Sequence, residues 1–257
     1  MITPRAVSTG AGLAGATRRG LAASVVGLCV LPAAARAASP ASPESGLHFP
    51  AANPDEIGRW IGPPPPPGSR AAHRDMDELI AVQVRRSAAD RAAAQADAEL
   101  SIFDPFVGIF GRAATAEALP ATTRFLAALV EDTFIITAQA KSIYRRARPN
   151  AIDPRVRPCI EQPATSAYPS GHGVFMYTAA EAFTALAPEH RDAIFARAEV
   201  FAYNRVVGGI HFPSDATASR TAAALYYAFA SSDPGFAAGF AAARREFRAG
   251  LRLDTAR

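Results

Sequence analysis

Lysine is almost absent from this chain of 257 residues, because 26 of its 27 basic residues are arginine and one is Lys141. The bias toward arginine is typical of a GC-rich genome. The net charge of +4 at first indicates a partner such as nucleic acid or an acidic membrane surface. However, residues 1–37 hold four arginines and no acidic residue, so the remainder balances 23 basic against 23 acidic side chains. The sequence therefore predicts no nucleic-acid partner.

Cysteine is equally scarce, with Cys29 and Cys159 as its two positions. The first 37 residues predict a cleaved export signal, because Arg18-Arg19 precedes an apolar stretch and Ala35-Arg36-Ala37 fits an A-x-A cleavage site. Cleavage near Ala37 would leave Cys159 without an intramolecular disulfide partner. We expect a periplasmic or secreted protein, and the signal leaves the Sec and Tat routes open.

Long apolar runs and alternating strand patterns are missing after the signal. No uninterrupted apolar run reaches the roughly 20 residues that span a bilayer, so we expect no stable membrane anchor. Residues 38–70 are rich in proline and read as a loop-like arm, since the run Pro63–Pro67 favours polyproline II. Residues 71–257 are predicted to be helical almost throughout, and they contain no detectable sequence repeat. The sequence therefore predicts an all-α, single-domain, compact helical bundle.

The spacing of apolar residues and the positions of helix-ending residues predict where the helices lie. One helical stretch covers 71–99, and a second covers 122–146 and is expected to end before Pro149. Residues 150–169 contain four prolines and are predicted to form a loop. The remaining helices are expected at about 171–187, 189–206, 214–231 and 235–250.

The first stretch with chemical interest runs from Lys141 to Pro149. Lys141 and Arg148 are seven residues apart, about two helical turns, so they are expected on one face of a helix, where they could grip a dianion. A solvated basic helix end is the alternative interpretation, and it is the one favoured for Arg145 and Arg146.

The second stretch is Pro169-Ser170-Gly171-His172, directly before an apolar helix. Ser170 is a good N-cap, and the free amides of Gly171 and His172 would then form an anion site at the helix N-terminus. A well-capped helix with a bystander histidine is the alternative.

The third stretch contains Arg205, His211 and Asp215. Gly208-Gly209 is expected to break one helix and Pro213 to begin the next, so His211 lies in the junction. Asp215 could accept a hydrogen bond from one ring nitrogen of His211 and leave the other as a nucleophile. Alternatively, the carboxylate only binds helix-start amides and the histidine a buried carbonyl.

Together the three stretches supply two histidines, one carboxylate, three cations and a helix N-terminus. This set suits phosphoryl transfer, in which cations and amides hold the phosphate oxygens while one histidine attacks and another protonates the leaving oxygen. The residues alone do not decide which histidine attacks.

The three stretches resemble the signature of the type-2 phosphatidic-acid phosphatase superfamily, which includes the vanadium haloperoxidases. That signature is K-x6-R-P, then P-S-G-H, then S-R-x5-H-x3-D, and the chain departs from it at Asn204, where the family has serine. The proline run, the export signal and the length resemble in particular the class A bacterial non-specific acid phosphatases.

This resemblance implies a role for each matching residue. His211 would be the nucleophile that forms a phosphohistidine, Asp215 would orient it, and His172 would be the acid and later the base. The phosphate oxygens would be bound by Lys141, Arg148, Ser170, Gly171 and Arg205. No metal and no cofactor are implied, and vanadate is expected to bind as an inhibitor.

The expected function is therefore that of a periplasmic acid phosphatase with broad specificity for small phosphomonoesters. A vanadate-dependent haloperoxidase and a soluble lipid-phosphate phosphatase are alternatives from the same superfamily. A non-catalytic anion-binding protein would need neither His172 nor the pair of His211 and Asp215. A divalent-metal hydrolase would need more acidic ligands near the histidines. The sequence leaves assembly into a homo-oligomer open.

Overall fold

The computed structural model describes residues 46–253, which fold into α-helices joined by turns and loops. In chain order the helices are α1 (Pro54–Trp60), α2 (Arg70–Arg85), α3 (Ala88–Ala96), α4 (Val107–Phe110), α5 (Pro120–Tyr144), α6 (Pro149–Ile152), α7 (Gly171–Leu186), α8 (Arg191–Val207), α9 (Pro213–Ala230) and α10 (Pro234–Gly250). This range contains no β-strand, and the predicted all-α class is confirmed. The export signal predicted for residues 1–37 lies outside the described residues.

Helix α7 lies at the centre, in contact with α5, α8 and α9. Nearly every side chain from Val174 to Phe183 is buried, as expected for a helix that is apolar on all sides. Phe183 near its C-terminal end packs against four further phenylalanines, Phe103, Phe106, Phe110 and Phe247. This packing anchors the C-terminal part of α7, whose N-terminus carries the second motif.

The four C-terminal helices, α7 to α10, agree with the predicted ranges to within two residues. The helical stretch predicted for 71–99 is wrong at one point, because α2 ends at Arg85 and α3 starts at Ala88. Ser87 accepts a hydrogen bond from the amide of Asp90, whose carboxylate accepts one from the amide of Ser87. This capping box starts a new helix without glycine or proline.

The predicted role of Pro149 is also wrong. Helix α5 ends at Tyr144, where Arg145 takes the left-handed conformation with φ of 45°, and Pro149 instead begins α6. Arg148 is the extended N-cap residue of α6. Lys141 and Arg148 therefore do not share a helix face, and the turn between them brings the two side chains together.

The described part of the predicted arm, residues 46–70, is less loop-like than predicted, and residues 38–45 lie outside the described range. The described part contains α1, which packs against α5, and the residues Leu47 and Phe49 before it are buried. Tyr168 donates a hydrogen bond to the carbonyl of Gly62 over 3.0 Å, which attaches the proline-rich segment to the loop before α7. Among the described residues, no helix is both long and apolar enough to cross a membrane.

Candidate active site

All the predicted site residues lie at helix ends. Lys141 is in the last turn of α5, Arg148 is the N-cap of α6, and Arg205 is in the last turn of α8. The motif from Ser170 to His172 opens α7, while His211 and Asp215 flank the start of α9. Hydrogen bonds join these ends: Arg148 contacts His211, and the amide of Ser170 donates to the carbonyl of Asp215 over 3.2 Å. The structure thus brings the three motifs into one site.

His211 is held between a cation and a carboxylate. Its Nε2 lies 2.9 Å from the Nη1 atom of Arg148, and its Nδ1 lies 3.2 Å from Oδ2 of Asp215. A guanidinium only donates, so Nε2 carries the lone pair and Nδ1–H donates to Asp215. Burial, aided by the positive charge of Arg148, holds the pKa of His211 well below its usual value. The ring is therefore neutral, with its basic nitrogen toward the cations.

Asp215 is fully buried and receives three donors. The amide of Phe212 donates to Oδ2 over 2.9 Å, in addition to His211, and Arg146 donates to Oδ1 over 2.6 Å. Burial raises the pKa of Asp215, whereas Arg146 and the Phe212 amide oppose that rise. The carboxylate thus has a fixed orientation toward the histidine ring.

Arg146 was expected at a solvated helix end, and that interpretation is wrong. Its side chain is buried and bridges Asp215 to Asp75, whose Oδ2 lies 2.7 Å from Nη2. Its guanidinium also lies 4.0 Å above the ring of Phe212. Asp75 lies in α2, and Ser214 donates to it as well. Sequence reasoning missed both residues, because Asp75 belongs to no motif and Arg146 resembles its exposed neighbour Arg145.

Two arginines contribute charge beside the histidine. Arg148 also donates to the carbonyls of Thr165 and Ile210, each over 2.9 Å, so its fork is fixed in place. Arg205 is 2 % exposed, and its Nε atom has no hydrogen-bond partner among the described residues. Burial, followed by repulsion from Arg148, lowers the pKa of Arg205 to about 10. An unpaired, buried N–H donor of this kind suits an anionic ligand.

Lys141 completes the cationic group. Its Nζ donates to the carbonyl of Ser166, whose hydroxyl donates back to the carbonyl of Lys141 over 3.2 Å. Burial and the charge of Arg148 lower the pKa of Lys141 to about 7, although Asp215 opposes the change. The ammonium therefore loses its proton within the range of ordinary assay conditions.

The start of α7 is capped as predicted. Ser170 Oγ accepts a hydrogen bond from the amide of Gly173 over 3.3 Å. The amides of Gly171 and His172 belong to the first turn and have no acceptor within the helix. His172 donates from Nε2 to the carbonyl of Ala98 over 3.0 Å, because a carbonyl only accepts. Burial lowers the pKa of His172 to about 4, and Arg205 acts in the same direction.

The C-terminal ends of α5 and α8 and the N-terminal ends of α6, α7 and α9 thus offer a neutral ring nitrogen, three cations and helix-start amides. This arrangement can bind a tetrahedral oxyanion and place a nucleophile against it. Among residues 46–253, no group of three or more His, Cys, Asp or Glu side chains is arranged to hold a metal ion. Asn204, which replaces the serine of the resembled motif, donates to Asp97 over 2.7 Å.

Comparisons with known proteins fit this geometry. The model of the PAP2 superfamily matches residues 121–236, a range that contains all three motifs. A non-specific acid phosphatase from Providencia stuartii is 29% identical over 196 residues, covering 73% of this chain and 79% of the relative. An acid phosphatase from Zymomonas mobilis is 26% identical over 212 residues, covering 79% of this chain and 78% of the relative.

The fold is also found in solved structures. A bacterial vanadium-dependent iodoperoxidase superposes with a TM-score of 0.54 at 17% identity, covering 68% of this chain and 53% of that one. At such low identity this likeness bears on the fold alone. The family match contains every motif and the relatives align over most of their length, so this chain is similar to the PAP2 superfamily in the part that forms the site.

Proposed function

We propose that this protein hydrolyses small phosphomonoesters at acidic pH through a phosphohistidine on His211, without a metal ion. The observation that carries the proposal is the placement of His211, whose Nε2 lies 2.9 Å from Nη1 of Arg148 and whose Nδ1 lies 3.2 Å from Oδ2 of Asp215. The acid phosphatase relatives, at 26% and 29% identity, support a phosphatase. The roles of the individual side chains follow from their chemistry.

In the first step the Nε2 lone pair of His211 attacks phosphorus, and the ester P–O bond breaks on the opposite side. The departing oxygen takes a proton from the imidazolium of His172 and leaves as an alcohol. Arg148, which contacts the same Nε2 atom, must transfer that hydrogen bond to the substrate. A phosphate oxygen is a stronger acceptor than a neutral ring nitrogen, so binding favours the transfer.

In the second step water attacks the phosphohistidine and restores the enzyme. The water gives a proton to the now neutral His172, the N–P bond breaks, and its electron pair returns to Nε2 of His211. Asp215 stabilises the positive charge that the ring carries while it is phosphorylated. Lys141, Arg148 and Arg205 hold the equatorial oxygens, together with Ser170 and the helix-start amides of Gly171 and His172.

An acidic pH optimum for activity is expected because the reaction needs two side chains, His172 and Lys141, in their protonated forms. His172 has a pKa of about 4 and Lys141 one of about 7 in the empty site. A bound phosphate dianion raises both values, because an opposite charge favours the protonated forms. Activity is therefore expected to fall as the pH rises through neutrality.

The test is turnover of p-nitrophenyl phosphate together with chemical trapping. We expect hydrolysis at acidic pH that persists in EDTA, and a base-quenched reaction in which mass spectrometry finds phosphate on His211. The variant His211→Ala should lose turnover by at least about a thousand-fold. His73→Ala is the matched control, since His73 is exposed on α2. Normal turnover by His211→Ala would show that the nucleophile is assigned wrongly.

Vanadate provides a second test. We propose that it binds at His211 as a competitive inhibitor, since its oxygens suit the cations that bind phosphate. Oxidation of bromide or iodide by the vanadate-loaded protein, with no phosphatase activity, would instead support a haloperoxidase, the activity named for the iodoperoxidase of similar fold. A preference for phosphatidic acid over water-soluble esters would identify a lipid-phosphate phosphatase.

Export is proposed from the first 37 residues. Expression of the full chain in a Gram-negative host should yield a periplasmic protein whose N-terminus is at or near Ala38. N-terminal sequencing of the periplasmic fraction decides the point, and an intact Met1 in the cytoplasmic fraction would overturn it.

A further inference from the structure

Asp97 ends α3 with its carboxylate buried against α8. Arg197 donates to both carboxylate oxygens, with Nη1 at 3.1 Å from Oδ2, and Asn204 donates to Oδ2 over 2.7 Å. Asp97 is 6 % exposed. Three hydrogen bonds therefore hold a residue that belongs to none of the three motifs.

The peptide segment that follows this carboxylate reaches the site. The carbonyl of Asp97 lies 3.5 Å from Nη1 of Arg205, and the carbonyl of Ala98 accepts from Nε2 of His172 over 3.0 Å. Two consecutive carbonyls thus contact one phosphate-binding cation and the acid–base histidine. The hydrogen bonds to the Asp97 side chain therefore anchor the backbone that carries both acceptors.

One face of α8 is built around this segment. Arg197, Phe201 and Asn204 are spaced by four and three residues, so they lie on the same side of the helix. The ring of Phe201 lies 6.4 Å from the ring of His172 with an interplanar angle of 22°, and the guanidinium of Arg197 lies 5.6 Å from the Phe201 ring. On this face Arg197 and Asn204 therefore bind Asp97, and Phe201, which lies between them, packs against the ring of His172.

We propose that Asp97 is a positioning residue for the reaction, which fixes His172 and Arg205 through the carbonyls of residues 97 and 98, and that Asn204 sets its position. This inference rests on the proposed phosphatase function. Asn204 departs from the serine of the resembled motif, and its longer amide side chain makes the contact with Asp97 in this protein. On this proposal, the asparagine that replaces serine serves to position Asp97 and, through it, His172.

The hydrogen bond to Ala98 determines which nitrogen of His172 transfers the catalytic proton. In the neutral ring Nε2 carries the hydrogen, so Nδ1 is the atom that takes up and releases the catalytic proton. Burial, Arg205, Arg148 and Lys141 lower the pKa of His172 to about 4, whereas the Ala98 carbonyl raises it. Loss of that bond lowers the pKa further, and the high-pH limb of kcat then moves to lower pH, because the acid must be protonated.

The test compares Asp97→Asn and Asn204→Leu with the wild type. We expect kcat to fall about 10- to 100-fold, the high-pH limb to move to lower pH, and the inhibition constant of inorganic phosphate to rise through Arg205. Nitrogen-15 NMR of labelled histidine should show the Nε2–H form of His172 in the wild type and a mixture of tautomers in the variants.

The matched control is Asp132→Asn. Asp132 is another buried carboxylate, with donors from the amides of His48 and Phe49 and from the hydroxyl of Tyr226. Its replacement should lower Tm without moving the pH limb or the His172 resonances. If the Asp97 variant lowers Tm alone, with the pH limb and tautomer unchanged, Asp97 is structural and the proposal is wrong.

Asn204→Ser keeps the inference testable if Asp97→Asn does not fold. A hydroxyl retains one donor, so this variant should recover part of the activity that Asn204→Leu loses, and equal activity of the two variants would contradict the proposal. The tautomer measurement needs no turnover. A wild type that shows the Nε2–H form but hydrolyses no phosphate ester would refute the phosphatase and leave the assigned hydrogen bond standing.

Discussion

Arg146 donates from Nη1 to Oδ1 of Asp215 over 2.6 Å, with both side chains buried, and its Nη2 atom reaches Asp75. The carboxylate proposed to orient the nucleophile is therefore itself held by a guanidinium that bridges two carboxylates, a fixed geometry that lysine does not provide. We predict that Arg146→Gln lowers kcat by about 100-fold. Arg146→Lys should recover only part of the loss, because one ammonium cannot match both carboxylates.

The pH dependence distinguishes this role from a general loss of stability. Arg146 opposes the rise in the pKa of Asp215 that burial causes, so its removal raises that pKa further. Activity requires the ionised carboxylate, and the low-pH limb of kcat/KM should move to higher pH. Arg145→Gln is the control, since Arg145 is exposed and donates from Nε to the carbonyl of Ser142. An unchanged low-pH limb in Arg146→Gln would contradict the prediction.

Replacement of Lys141 even by arginine is expected to impair turnover. Its Nζ donates to the carbonyl of Ser166, next to the Thr165 carbonyl that accepts from Arg148, and a planar guanidinium presents its donors differently. We predict a fall in kcat of at least about tenfold for Lys141→Arg. Near-wild-type kinetics would show that charge alone suffices at this position.

Inhibition by inorganic phosphate reports the charge of Lys141 directly. The pKa of Lys141 in the empty site is about 7, so phosphate affinity in the wild type should weaken as the pH rises from 6 to about 8. Arg205→Lys is not a suitable control, because it changes the same site, whereas Arg145→Gln should retain the wild-type profile. In Lys141→Arg the part of the weakening that Lys141 causes should disappear, since a guanidinium stays charged, and the change that remains reports the ionisation of phosphate itself.

The three motifs were predictable from the sequence because each contains its own local signal. Ser170 caps α7 and Pro213 begins α9 by short-range rules, so the contact between His211 and Asp215, four residues apart, could be expected from spacing. The fold class followed from the helical spacing of apolar residues. Short-range sequence signals thus predict each motif separately.

The supports of the site could not be predicted in the same way. Arg146 meets Asp75 across 71 residues, and Asn204 meets Asp97 across 107. Such pairs form only after packing places α2 and α3 beside the motifs, and a single sequence gives no signal of that packing. The bend at Arg145 also had no clear signal, since an arginine in the left-handed region is uncommon. The predicted helix face for Lys141 and Arg148 was wrong for this reason.

The start of α7 packs closely against α9 at Gly173. A Cβ atom added at Gly173 would lie 2.7 Å from Cβ of Ser219 in α9 and closer still to its Oγ. Both residues are buried, so the two helices must separate next to Ser170. We predict that Gly173→Ala lowers the free energy of unfolding by about 1–3 kcal/mol and reduces kcat, measured by urea unfolding and turnover.

The second change Ser219→Gly tests the cause, because it removes both contacting atoms and should restore most of the lost activity in the double variant. Gly108→Ala is the matched control for glycine replacement in a helix. Nothing lies within 4 Å of a Cβ at Gly108, so that change should be neutral or stabilising by up to about 1 kcal/mol. If Gly173→Ala alone retained wild-type stability and kcat, the contact between α7 and α9 would not set the position of the second motif.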